Sequence, residues 1–168
     1  MNVVRVAKTT LRIELESERE TEKLGQAMAR VARPGLVIGL VGSLGAGKTR
    51  LVRSIAESLG VDHRAIASPT YVLIHEYEGS LPIYHFDAYR LEGPDEFDAL
   101  GASDYWSEGR GLCLIEWADL VADRLPKDTW WVRIAPSSTE ARSIQLDTTG
   151  APQAANAIEA GLTSDNLP

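Results

Sequence analysis

Hydrophobic and polar residues alternate across residues 10–16, with Leu11, Ile13 and Leu15 on one side, and this period of two predicts a half-buried strand. Ser17-Glu18-Arg19-Glu20 then has capping-box spacing, and Leu24, Ala27, Met28 and Val31 continue at helical spacing to Pro34-Gly35. Residues 36–41 are apolar on both faces, which suits the central strand of a sheet. A helix is predicted over residues 48–59, with Leu51, Val52, Ile55 and Leu59 inward and Gly60 as a left-handed stop.

Two further pairs of strand-like runs follow. Residues 71–77 and 82–86 are joined by Glu78-Gly79-Ser80-Leu81, too short a connection for anything but an antiparallel hairpin. Residues 130–134 and 142–146 make a second such pair across Pro136-Ser137-Ser138-Thr139. Between them lie a short acidic helix opening at Pro94 and another buried run, Leu112-Cys113-Leu114-Ile115. The pattern is α/β: a single domain over residues 1–149 with a mixed parallel and antiparallel sheet flanked by helices. Residues 150–168, rich in Ala, Asn and Ser, are a tail that is either a frayed helix or disordered.

Composition narrows the function. The 168 residues are 44% hydrophobic and 24% charged, ordinary for one globular domain that needs no staple. Cys113 is the single cysteine, so no disulfide framework or CxxC site exists, and a reducing, cytoplasmic home is expected. A net charge of −7 disfavours broad contact with phosphate polymers or anionic lipid, so any nucleic acid contact is expected to be local or through partners. The longest apolar stretch, residues 35–41, falls far short of the roughly 20 residues of a membrane span, and Met1 to Lys8 lacks a secretory apolar region.

Chemistry concentrates at Gly42-Ser43-Leu44-Gly45-Ala46-Gly47-Lys48-Thr49, a complete GxxxxGK[ST] between the buried strand and the amphipathic helix. Glycines let backbone N–H groups turn toward phosphate, the helix N-terminus adds partial positive charge, Lys48 neutralises phosphate oxygens and Thr49 offers a hydroxyl to Mg²⁺. Candidate nucleotide contacts are Ser43, Gly45, Ala46, Gly47, Lys48, Thr49 and Arg50, with ATP or ADP and Mg²⁺ as ligands.

Two carboxylates end apolar runs: Asp87 after Ile83-Tyr84-His85-Phe86, and Glu116 after Leu112-Cys113-Leu114-Ile115. At the carboxyl end of a strand beside a phosphate loop, either could hold Mg²⁺ or orient the attacking water. The DxxG strings at residues 98–101 and 147–150 are out of place for a GTPase, and no NKxD occurs. Thr70, in Ser68-Pro69-Thr70-Tyr71, could sense a γ-phosphate, although the segment also reads as a turn before a strand. Trp106, Trp117, Trp130 and Trp131 read as packing residues, and His63, His75 and His85 show no metal-ligand spacing.

The phosphate loop, Ser68-Pro69-Thr70-Tyr71, His85-Phe86-Asp87-Ala88-Tyr89-Arg90-Leu91 and Leu114-Ile115-Glu116-Trp117 together resemble the TsaE family, also called YjeE, bacterial ATPases of the tRNA threonylcarbamoyladenosine pathway. The likeness runs in order from about Thr21 to Arg142, and its last two motifs are far more specific than a phosphate loop. It implies a P-loop fold with a mixed sheet, Mg²⁺-dependent binding of ATP and ADP, and work with TsaB and TsaD homologues, of which TsaD performs the transfer to tRNA. Carried over by position, Lys48 and Thr49 hold phosphate and metal, and Glu116 resembles the metal-associated acid. Asp87 matches the family's other carboxylate, residues 68–71 its mobile loop and Trp117 the tryptophan beside the site. Ser43 departs from the family, where Asp is common, which bears on any role for a carboxylate there but not on phosphate binding through the backbone.

A stand-alone small-molecule kinase is the alternative, but its arginine-rich lid has no counterpart in the scattered Arg and Lys residues. No charge-supplying finger stands out beyond Arg90, so the expectation is a Mg²⁺-dependent ATPase that is weak alone and activated by its partners.

Overall fold

The computed structural model describes residues 1–66, 73–137 and 141–164. Its sheet contains β1 (Asn2–Ala7), β2 (Thr10–Leu15), β3 (Val37–Val41), β4 (Ile74–Tyr77), β5 (Ile83–Asp87), β6 (Leu112–Glu116), β7 (Trp130–Pro136) and β8 (Arg142–Asp147). The helices are α1 (Glu18–Ala29), α2 (Lys48–Ser58), α3 (Pro94–Ala99), α4 (Ala102–Ser107) and α5 (Pro152–Thr163), with a 3-10 helix at Ala118–Arg124. Strand order is β1-β2-β8-β7-β3-β6-β5-β4. β7, β3, β6 and β5 run parallel, and every other neighbouring pair is antiparallel.

The mixed sheet expected from the two hairpins is therefore present, and β3 lies between parallel neighbours in its parallel half. Such a strand is covered on both faces, which explains its unbroken apolar run. On one face, Leu11, Ile13, Ile38, Leu40, Leu112 and Leu114 pack with Leu24 and Met28 of α1 and Leu51 and Ile55 of α2. On the other, Val37, Phe86, Cys113 and Ile115 meet Phe97 of α3, Ala102 of α4, Ala118 and Val121. Burial pushes the Cys113 thiol up to about 12, so it stays protonated and inert at neutral pH.

Local rules account for the helix ends. Ser17 caps α1, its side chain accepting from the Glu20 N–H at 3.4 Å. The Glu20 carboxylate accepts from the Glu16 N–H at 2.7 Å, one residue upstream of the reciprocal bond of a capping box. α1 stops at Ala29, short of the Pro34 signal, and Val31 packs against the core from beyond its end. It lies against α2, where Ser54 Oγ donates to the Glu22 carbonyl at 2.9 Å, and a Cβ on Gly25 would come within 2.1 Å of that hydroxyl.

Two elements go beyond the sequence reading. β1 has no pattern of its own to announce it: Val4 and Val6 are 49% and 55% exposed, and the strand exists because it pairs with β2. After Gly150, of the two alternatives the helix is the one present, packed rather than frayed: residues 152–163 form α5, burying Ala155, Ile158 and Leu162. Those three positions recur at helical spacing, and α1 provides the surface that covers them. Residues 68–71, including Thr70, lie outside the described residues, as do Ser138 and Thr139 of the second hairpin turn.

Candidate nucleotide site at the carboxyl end of the parallel strands

β3 delivers the chain into the glycine-rich loop and α2 carries it away. Gly45 and Gly47 have φ of +76° and +109°, left-handed values that an L side chain adopts only under strain. α2 begins at Lys48, so its free N–H groups and positive dipole end face the loop.

Lys48 is buried, only 4% exposed. Its ammonium donates to the carbonyls of Gly42 and Ser43 at 2.7 and 3.0 Å and lies 3.8 Å from the centroid of the Trp117 ring. Burial lowers the lysine's pKa, and the negative charges of Glu116, Asp87 and Asp119 oppose that shift. Trp117 is the one non-glycine residue with positive φ among the described residues, at +57°. That kink ends β6 and aims the indole across the loop. Beneath it, a Cβ on Gly39 would fall 2.9 Å from that of Ala118, so a bare residue in β3 lets the turn sit close.

The strand register assembles the acids. Asp87 of β5 lies opposite Glu116 of β6, and Glu116 also lies opposite Leu40 of β3. The Glu116 carboxylate is 3% exposed at the residue level and has both oxygens engaged. Oε2 accepts from Thr49 Oγ1 at 3.0 Å, and Oε1 accepts from His85 Nε2 at 2.9 Å. Asp87 accepts from the Tyr89 N–H at 3.0 Å. Burial raises its pKa, the neighbouring Glu116 charge raises it further, and the Tyr89 bond works against both.

These groups border a cavity of about 350 Å³. Gly45, Gly47, Lys48, Thr49 and Arg50 line it from the loop and α2, Asp87, Tyr89 and Arg90 from the end of β5, and Glu116 and Trp117 from the end of β6. Most of the residues singled out from sequence thus meet in one place. Ser43 and Ala46 are not in this lining, although the Ala46 N–H donates to the Ser43 carbonyl at 3.1 Å and so shapes the loop. The Arg50 guanidinium turns to α1, pairing with Glu18 at 2.9 Å and Glu22 at 2.7 Å.

Sequence reasoning missed Leu44 and Tyr89 in the lining of this site and, above all, His85, which lies behind it against Glu116. A signal for His85 existed: it precedes Asp87 by two residues in a strand, so both point to the same face. A second, narrower cavity of about 40 Å³ lies on the other flank of the loop, sharing Gly47 and Arg50 with the first and lined also by Glu18, Thr21, Ile134 and Arg142.

Among the described residues no group of three or more His, Cys, Asp and Glu side chains could hold a metal by itself. The donors that line the cavity are hard oxygens: the Thr49 hydroxyl and the carboxylates of Glu116 and Asp87. That set fits Mg²⁺, which keeps several waters and takes its remaining ligands from phosphate.

Known proteins share this arrangement of sequence and fold. The tRNA threonylcarbamoyladenosine biosynthesis protein TsaE of Bacillus subtilis is 41% identical over 132 residues, 78% of this chain and 81% of that protein. The protein of the same name from Treponema pallidum is 40% identical over 113 residues, 67% of this chain and 82% of its own. The crystal structure of YdiB from Bacillus subtilis superposes with a TM-score of 0.71 at 32% identity, covering 99% of both chains. Residues 15–144 match the family described as Threonylcarbamoyl adenosine biosynthesis protein TsaE, and they include the phosphate loop, Asp87, Glu116 and Trp117: the chain belongs to the TsaE family.

Proposed function

We propose that this chain binds Mg·ATP in the 350 Å³ cavity and hydrolyses it to ADP, as the ATPase component of cytoplasmic tRNA threonylcarbamoyladenosine biosynthesis, together with TsaB and TsaD homologues and touching tRNA only through them. The observation that carries the reading is the 3.0 Å bond between Thr49 and Glu116, which joins the first turn after the phosphate loop to the end of a parallel strand. Those two oxygens are the ones a P-loop enzyme directs at its metal.

In this reading the loop's N–H groups and the α2 terminus receive the phosphate chain, and the Lys48 ammonium exchanges loop carbonyls for phosphate oxygens. Thr49 and Glu116 would hold Mg²⁺, which when bound neutralises charge on the transferred phosphoryl group. Asp87, on the strand beside Glu116, orients the attacking water, and its raised pKa makes it a stronger base than an ordinary aspartate. Arg90 at the cavity wall is the chain's own candidate for stabilising transition-state charge.

A kinase lid finds little support. Arg124, the arginine nearest the acidic α3, is held by Asp95, Asp98 and Asp123 at 3.0, 2.7 and 3.0 Å. The test is calorimetric titration with Mg·ATP followed by steady-state phosphate release with increasing TsaB–TsaD. Binding and a rate that rises to saturation are expected. No binding, or a flat rate through saturation of a demonstrated complex, would overturn the proposal.

A further inference from the structure

His85 is completely buried, yet one of its ring nitrogens touches the site. Its Nε2 lies 2.9 Å from Glu116 Oε1, and its Nδ1 has no hydrogen-bond partner. A buried N–H without an acceptor is costlier than a bare ring nitrogen, and a carboxylate can only accept, so the proton belongs on Nε2. The ring is held from its own sheet: His85 lies opposite His75 in β4 and opposite Leu114 in β6, with the Tyr77 ring 6.3 Å away.

We infer that His85 is a positioning residue whose Nε2–H fixes the rotation of the Glu116 carboxylate, so that Oε2 stays turned toward Thr49. The inference rests, for its metal half, on the nucleotide-binding reading above. Without that bond the Glu116 carboxylate would be held by the Thr49 hydroxyl alone. With Oε1 anchored by a fully buried ring, the other oxygen is left for Thr49 and the metal. An imidazole acting through a ligand's second oxygen sets ligand orientation, and losing such a partner typically costs about 10- to 100-fold in metal affinity.

Two measurements test this. The first needs no ligand: ¹⁵N spectra of the imidazole in the free protein should show the proton on Nε2 and a bare Nδ1. A proton on Nδ1 alone would refute the pairing. The second compares affinity for ADP with Mg²⁺ and with EDTA. His85→Leu should lose about tenfold or more of the gain due to metal while keeping its affinity in EDTA. His85→Gln, whose amide nitrogen reaches about as far as Nε2, should retain that gain within about threefold, whereas His85→Asn, whose amide falls short at Nδ1, should behave like the leucine variant. A purely packing role predicts no difference between the two amides. An unchanged metal gain in His85→Leu, or equal losses in the two amides, rejects positioning while leaving nucleotide binding intact. Absence of nucleotide binding by the wild type instead rejects the proposed function and the metal half of this inference with it, and the spectra still judge the pairing.

Discussion

The Lys48 ammonium lies 3.8 Å from the centroid of the Trp117 indole, so the cation of the phosphate loop is roofed by the residue that follows the β6 carboxylate. Trp117 reaches that place only by adopting φ +57° and ψ +38°. The left-handed region costs a non-glycine residue roughly 1–2 kcal/mol. Trp117→Ala and Trp117→Gly both remove the indole, but only glycine relieves the backbone. The glycine variant should therefore be the more stable by about 1 kcal/mol, read from urea midpoints. An alanine variant as stable as the glycine one would show that the turn carries no strain.

Lys48→Ala should abolish tight Mg·ATP binding, with a loss of about a hundredfold or more in calorimetry, equivalent to about 2.7 kcal/mol. Because Lys48 is buried, with its ammonium bonded to two loop carbonyls, the variant should also melt at a somewhat lower temperature. Burial depresses the lysine's pKa, so the ammonium gives up its proton at a lower pH than usual. Phosphate needs the charged form, and affinity should consequently fall as pH rises, before the ordinary lysine range is reached.

Asp87→Asn should lose turnover but gain stability at neutral pH. The folded-state pKa of Asp87 is raised above 3.8, chiefly by burial, so the folded protein holds this proton longer than the unfolded chain does. Its stabilising effect is therefore complete below 3.8 and is lost as pH rises through the higher folded value. Asparagine stays neutral and can still accept from the Tyr89 N–H. Thermal melts should place the variant above the wild type at pH 7, with the advantage vanishing at acid pH. A variant that melts lower than the wild type at pH 7 would contradict this assignment.

Ile158→Ala should cost about 2–5 kcal/mol, because Ile158 is fully buried where α5 meets the main core. Denaturant unfolding measures it directly. A cost below about 0.5 kcal/mol, the level of a surface substitution, would mean that α5 is dispensable to the fold.

Much of this molecule can be derived from local chemistry. The phosphate loop is legible because each of its residue types answers a backbone or charge requirement within eight positions, Gly42 to Thr49, and the strand and helix around it announce themselves by period. The hairpins of β4 with β5 and of β7 with β8 were legible too, since short connections leave antiparallel pairing as the only solution. Asp87 and Glu116 stood out as acids ending apolar runs.

What no local rule could supply is the pairing of distant elements. The register that sets Asp87 opposite Glu116 depends on parallel strands 29 positions apart, and that choice is made by burial across the whole sheet. The bond from Thr49 to Glu116 spans 67 positions, and the one from His85 spans 31. For the same reason β1 escaped the pattern and α5 stood open between a frayed helix and disorder: an edge strand with exposed valines and an alanine-rich helix are marginal alone and are stabilised by β2 and α1. Sequence thus determined which groups could do chemistry on phosphate. Tertiary structure decided which of them share one carboxylate, because a hydrogen bond is a matter of about 3 Å and only the packed sheet sets distances that fine.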